Sequence, residues 1–170
     1  MPLNVFNDLH FTTENAAGPR CTRVIWDTEG GDTSYDNLKV YRFGDRGKSY
    51  DWTSPQRQAA GANFARPTDF RLNQMALSQV RFGRGGVDTG PFVSVATSHQ
   101  ALRGSPDPWV QKILASAPDL GVFVVPFSIV MRPSINSDAT KKETEWLVFD
   151  GDAPLLDYLQ GWEPNPYRVV

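Results

Sequence analysis

Four polar side chains interrupt segments of this sequence that are otherwise apolar: Arg42, Ser94, Glu143 and Glu145. A guanidinium group can hold an anion, and a fixed carboxylate can serve in acid–base or electrostatic catalysis. The two acids are one residue apart, so on a strand they point to the same side with about 7 Å between them. The next residues on this face, Leu147 and Phe149, are apolar. This pattern indicates a strand that enters the core beneath a cleft.

Each of these residues, taken alone, has an ordinary explanation. An arginine at a strand end is usually a surface residue, and a serine in a strand is usually a satisfied polar position. A Glu-x-Glu pair after Lys141 and Lys142 is most often a solvated strand start. The order Arg42, Ser94, Glu145, with roughly equal stretches of chain between them, favours a common site.

The segments that must position these side chains are predicted as strands, because their apolar residues alternate or are β-branched and aromatic. The predicted strands cover 21–26, 38–43, 92–97, 122–130, 143–149, 155–159 and 167–170. Helices are predicted over 68–80, 98–102 and 108–115, where Thr68, Ser98 and Asp107 supply N-caps. Short helices among many strands predict an α+β fold.

Composition narrows the function classes. The 170 residues carry 17 basic and 19 acidic side chains, a net charge of −2, so no global basic field favours long nucleic acids. The single cysteine and two histidines argue against a disulfide and a structural metal. The longest apolar run, 120–131, is too short to span a bilayer, and no secretory signal is predicted near Met1. We expect a soluble single domain over 1–170.

The ordered set resembles the mono-ADP-ribosyltransferases of the cholera-toxin and heat-labile-enterotoxin branch. Residues 40–46 resemble the family's opening Tyr-Arg strand, and 91–98 resemble its aromatic-Val-Ser-Thr-Ser strand, of which Ser94 is retained. Glu143-Thr-Glu145 matches the Glu-x-Glu signature. Further landmarks of the branch fall at Gly151, Pro154, Tyr158, Gly161 and Trp162.

The resemblance implies a split β-sandwich with flanking short helices, a catalytic core over 36–170 and an N-terminal extension over 1–35. It implies NAD as substrate and no metal. Glu145 would stabilise the charge on the ribose, Ser94 would hold Glu145 and the ribose, and Glu143 would act on the acceptor. Arg42 and Tyr41 would bind NAD. The loop 132–142 would recognise the acceptor, and one aromatic among Phe43, Phe123 and Phe127 would stack on nicotinamide.

The acceptor and setting follow from the same resemblance. An acid at position 143 implies transfer to an arginine of a protein, by a toxin or effector domain that is secreted or delivered into a target cell. An immunity protein or a larger parent polypeptide would be a partner, and a membrane would not. Water or a nucleic acid as acceptor, hydrolysis by Ser98 and His99, and an α+β binding module without catalysis remain the alternatives.

Overall fold

Strands dominate the part of the chain that the structure, a computed structural model, describes. It describes residues 21–23, 37–61, 63–65, 71, 75, 79, 90–126, 129–133 and 145–169. The strands there are β1 (Cys21–Arg23), β2 (Asn37–Gly44), β3 (Phe92–Ala96), β4 (Asp119–Pro126), β5 (Val130–Pro133), β6 (Glu145–Phe149) and β7 (Leu159–Pro164). The bounded helices are α1 (Pro55–Ala60) and α2 (Pro108–Ser116), with 3₁₀ turns at Ser49–Trp52, Ala101–Gly104 and Leu155–Tyr158. The fold class is therefore α+β.

The described strands form one antiparallel sheet in the order β1-β5-β6-β3-β2-β4-β7. β2 pairs with β4 along its whole length, from Asn37 opposite Pro126 to Gly44 opposite Asp119. Between the described strands β2 and β3, in contrast, the register holds a single pair, Tyr41 opposite Ala96. The sheet thus has a first half (β2, β4, β7) and a second half (β1, β3, β5, β6) that meet at one point.

Both halves contribute to the main core. Alternate side chains of β2 and β4 meet those of β3 and β6, and two of the 3₁₀ turns add one large residue each. The buried members are Val40, Trp52, Val93, Val95, Phe123, Val125, Ile129, Val130, Trp146, Val148 and Leu155. Their apolar burial supplies the main force that holds the two halves together.

A smaller cluster attaches α2 to the first half of the sheet. Leu114 of α2 packs with Phe43, Ala117 and Leu120. The helix begins as predicted, because the Asp107 side chain accepts a 2.8 Å hydrogen bond from the Trp109 amide. Among the described residues, no helix is long and apolar enough to cross a membrane.

Gly121 permits a close approach beside the predicted site. It lies opposite Arg42 in the register of β2 and β4. A Cβ atom there would lie 2.7 Å from Cε2 of Phe123 and 3.1 Å from Cζ3 of Trp52. Only a glycine therefore lets these two rings pack over the strand.

α1 is anchored at the far end of β6. The buried Asp150 carboxylate accepts bonds from the amide of Ser54 at 2.7 Å and from its hydroxyl at 2.5 Å. Ser54 also caps α1 by accepting from the Arg57 amide. Burial raises the pKa of Asp150, and the Ser54 bonds and the Arg57 charge offset this only in part.

Several predicted elements are confirmed. β2, β3 and α2 agree with prediction to within two residues at each end, and β1 lies within 21–26. Arg71, Met75 and Gln79 are helical, as predicted for 68–80, and the other residues of that segment lie outside the described ones. The predicted strand 143–149 is described from Glu145 onward. In place of the helix predicted over 98–102, the structure has a 3₁₀ turn over Ala101–Gly104. The Ser98 hydroxyl accepts a hydrogen bond from the backbone amide of Ala101, the first residue of this turn.

Three predictions of strands were wrong. The segment 122–130 is two strands rather than one, and the first ends at Pro126, which has no amide hydrogen to continue a ladder. Residues 155–158 form a 3₁₀ turn, because the Asp157 amide bonds to the Pro154 carbonyl at 3.0 Å. Residues 167–169 lie outside any strand, because Asn165 accepts from the Tyr167 amide and turns the chain.

Candidate functional site

Ser94 and Glu145 lie on neighbouring strands and touch. In the register of β3 and β6, Glu145 is opposite Ala96, so Ser94 lies diagonally across from it on the same face. The Ser94 hydroxyl donates a 2.8 Å hydrogen bond to Oε1 of Glu145. The sequence prediction that these two residues meet is confirmed.

The exposure pattern singles out the same two side chains. Every residue of β3 is buried except Ser94, and every residue of β6 is buried except Glu145. Both of these are half-buried. The Ser94 hydroxyl and the Glu145 carboxylate are thus the polar side-chain groups of these two strands that are not fully buried.

Arg42 reaches the site from the other half of the sheet. Beyond Tyr41 and Ala96 the strands β2 and β3 no longer pair, and Nη1 of Arg42 donates to the carbonyl oxygen of Ser94 at 2.6 Å. Its Nε donates to the carbonyl oxygen of Asp51, also at 2.6 Å. The prediction that Arg42, Ser94 and Glu145 converge is confirmed, and Arg42 bridges the two halves at the point where they part.

The turn after Arg42 is fixed by its own hydrogen bonds. Arg46 donates from Nε at 3.0 Å and from Nη2 at 2.9 Å to Oδ1 of Asp119, and its amide donates to Oδ2. Burial would raise the pKa of Asp119, but the Arg46 hydrogen bonds and the charges of Arg46 and Arg168 outweigh it and lower that pKa. Nε1 of Trp52 bonds to the Asp45 carbonyl across the same turn.

Gln79 is a member of the site that sequence reasoning missed. Its side chain is buried, and its Nε2 donates a 2.9 Å hydrogen bond to the Ser94 hydroxyl. A glutamine in a helix is common, and its spacing to Ser94 carries no pattern. Only the contact between Gln79 and Ser94 of β3 could have revealed it.

Tyr41 has an aromatic environment. Its ring lies edge-on to His99 with 4.9 Å between the ring centroids, and Nδ1 of His99 lies 2.9 Å from the Tyr167 hydroxyl. Burial lowers the pKa of His99, although the Glu163 charge acts in the opposite direction. The neighbouring Ser98 hydroxyl donates to Oε1 of Gln100 at 3.3 Å.

Some predicted residues lie outside the described part of the chain. These are Glu143, Phe127 and the segment 134–142 of the predicted acceptor loop. The other two candidates for stacking on nicotinamide, Phe43 and Phe123, are buried in the core. Neither of these two rings offers a face to a ligand.

The described residues contain no group of three or more His, Cys, Asp or Glu side chains that could hold a metal ion. Comparison of the chain with protein-family models, curated proteins and solved structures finds no match. The function is therefore inferred from the site: a half-buried carboxylate held by a serine hydroxyl, beside a guanidinium that spans two halves of a sheet.

Proposed function

We propose that this chain is an NAD-dependent mono-ADP-ribosyltransferase that modifies a macromolecule, with an arginine of a protein as the acceptor. The observation that carries the proposal is the Ser94–Glu145 hydrogen bond, formed by the two half-buried side chains of otherwise buried strands. Arg42, bound to the Ser94 carbonyl, brings a guanidinium to the same place. In keeping with the resemblance, the chain would act as a toxin or effector domain.

We infer that the sheet is the split β-sandwich of that family. The single pair Tyr41–Ala96 between β2 and β3 supports this, because the two halves can diverge from it and leave a cleft. The shared core, in which Val40 and Phe123 meet Val95 and Trp146, also supports two packed layers.

The reaction suits a carboxylate held in this way. As the bond between nicotinamide and C1′ of the ribose breaks, its electron pair leaves with nicotinamide and positive charge develops on the sugar. Glu145 would stabilise that charge and accept a hydrogen bond from the ribose 2′-hydroxyl. Because the Ser94 proton is donated to Oε1, the carboxylate keeps a fixed orientation while the charge changes.

The acceptor completes the step. Its nucleophilic atom forms a bond to C1′ and loses a proton, so that the products are the ADP-ribosylated acceptor, nicotinamide and the proton. Glu143 is proposed as the acid that pairs with an arginine acceptor and takes this proton. Arg42 and Tyr41 are proposed to bind NAD, with the Arg42 guanidinium close to its phosphates.

Release of nicotinamide from NAD by the purified chain tests the proposal. We expect wild-type protein to release it and Glu145→Gln to release it about 10²–10³-fold more slowly, because the electrostatic partner of the transition state is lost. NAD binding, measured by calorimetry, should persist in the variant. Glu163→Gln, an exposed acid on β7, is the matched control and should keep the wild-type rate.

The outcomes separate the competing functions. Equal rates for wild type and Glu145→Gln would contradict the assignment of Glu145, and NAD binding without release in either protein would identify a binding module. Incubation of a cell lysate with radiolabelled NAD then distinguishes the acceptors. Label on protein supports the proposal. Label on nucleic acid would show that nucleic acid is the acceptor, and label found only in free ADP-ribose would show that the acceptor is water.

A further inference from the structure

Gln79 belongs to a hydrogen-bonded chain that ends at Glu145. Nε2 of Gln79 donates to Oγ of Ser94 at 2.9 Å, and Oγ of Ser94 donates to Oε1 of Glu145 at 2.8 Å. A serine hydroxyl has one proton and can also accept. Because an amide N–H can only donate, the Gln79 bond leaves the Ser94 proton to point at the carboxylate.

The Gln79 amide is buried between two neighbouring residues, Ser94 and Gly90. Gln79 is only 5% exposed. Among the described helical residues of this segment, Arg71 is exposed, Met75 is half-buried and Gln79 is buried. Oε1 lies against Gly90, where an added Cβ would be only 3.1 Å away. The Gly90 carbonyl in turn accepts a 3.0 Å hydrogen bond from the backbone N–H of Gln56. The amide is therefore confined between Gly90 and Ser94.

We propose that Gln79 is a positioning residue for NAD cleavage, which fixes the direction of the Ser94 hydroxyl so that it donates to Glu145. This inference rests on the proposed function and names the residue that sets up its carboxylate. Gln79 acts through Ser94, which is the group that touches Glu145. Without the amide donor, the hydroxyl can turn and donate its proton to solvent, and the carboxylate loses its fixed hydrogen bond.

Two substitutions distinguish this role from packing. Gln79→Leu keeps most of the buried volume and removes the donor, and we expect it to lower kcat for nicotinamide release by about tenfold with little change in KM. Gln79→Glu keeps the shape but places an acceptor beside Ser94 Oγ. Its carboxylate competes for the Ser94 proton, so we expect a loss at least as large as that of Gln79→Leu.

A double-mutant cycle tests the route through Ser94. If Gln79 acts through the hydroxyl, Gln79→Leu should lower kcat in the wild-type background and have no further effect in Ser94→Ala. Gln111→Leu is the matched control, because the Gln111 amide also donates to neighbouring groups, the carbonyls of Leu102 and Ser105, but lies on α2. It should leave kcat unchanged. Equal effects of Gln79→Leu in both backgrounds would overturn the proposal.

A measurement without NAD separates this inference from the proposed function. The carboxyl carbon of Glu145 can be titrated by NMR in ¹³C-Glu-labelled protein and assigned through Glu145→Gln. The Ser94 hydroxyl faces this carboxylate from β3, with Gln79 behind it and Arg42 on the Ser94 carbonyl. Loss of a donated hydrogen bond should move the titration to higher pH in Gln79→Leu. An unchanged titration would overturn the positioning role, whether or not wild type cleaves NAD.

Discussion

An arginine that bridges two backbone carbonyls is difficult to replace by another cation. Arg42 uses Nε and Nη1, two donors with fixed relative geometry, to join the carbonyls of Asp51 and Ser94. A lysine carries the same charge on a single nitrogen at the end of a flexible chain. Substitution of Arg42 by lysine therefore keeps the positive charge but removes the bridge between the two carbonyls.

Arg42→Lys should lower the free energy of unfolding by about 1–3 kcal/mol, because at least one part-buried carbonyl loses its partner. It should also slow nicotinamide release, since Ser94 is no longer fixed from the first half of the sheet. Urea denaturation and the release assay measure the two effects. Arg103→Lys, at an exposed position, should change stability by less than about 0.5 kcal/mol. Wild-type stability in Arg42→Lys would show that the bridge contributes little.

At the residue scale, the sequence predicted three of the five residues that these hydrogen bonds join. Arg42, Ser94 and Glu145 could be found because each is a polar residue on an apolar strand, and strand alternation assigns each to a face. Gln79 could not be found, because a helical glutamine is normally solvated and its partner lies on a strand that the sequence does not pair with it. The turn carbonyl of Asp51 could not be found either, because any residue supplies one.

Among the elements, β2 and β4 depend on a position without a side chain. Gly121→Ala should lower the free energy of unfolding by about 1–3 kcal/mol, because its Cβ would lie 2.7 Å from the Phe123 ring, which packs on Trp52 in the core. Gly161→Ala on the adjacent strand β7 is the matched control, since a Cβ there meets nothing within 4 Å. It should be neutral or slightly stabilising. Urea titration measures both variants. If Gly121→Ala and Gly161→Ala lower the free energy of unfolding equally, the loss comes from replacing a glycine in a strand and not from the contact with the Phe123 ring.

The elements that were predicted correctly are those whose local pattern has one interpretation. β2 alternates, and α2 has an Asp-Pro start, so each is specified by its own residues. The apolar run 122–130 does not encode where one strand stops and the next begins. The segment 155–159 is short and mostly apolar, and such a segment fits a strand or a 3₁₀ turn equally well until its neighbours are placed.

For the whole molecule, one ion pair links stability to pH. The pKa of Asp119 is below its ordinary value, chiefly because the Arg46 hydrogen bonds and the neighbouring cations outweigh burial. Its stabilisation is therefore fully present above the unfolded-state pKa of about 3.9 and is lost as the pH falls through the lower folded value. The raised pKa of Asp150 gives a pH dependence of stability with the opposite sign. Because Asp150 is present in both wild type and an Asp119 variant, its contribution cancels when the two proteins are compared.

Asp119→Asn should therefore be less stable than wild type at pH 7 by about 1–3 kcal/mol, because the charged hydrogen bonds to Arg46 are weakened. The difference in melting temperature should shrink as the pH is lowered below about 4. Thermal unfolding of both proteins from pH 7 to pH 2.5 measures it. A difference that stays constant over this range would show that the Asp119 charge does not contribute.

The strand order interleaves the two halves of the sheet along the chain. Any continuous fragment that contains β2, β4 and β7 also contains β3, β5 and β6, so truncation cannot isolate the first half from the second. Pairing Asn37 with Pro126 requires closing a long loop before its contacts form, which is typical of domains that fold in milliseconds to seconds rather than microseconds. Arg42 comes from one half, and Ser94 and Glu145 come from the other. The geometry of the candidate site is therefore assembled cooperatively with the fold, and loss of the proposed NAD cleavage and global unfolding should coincide.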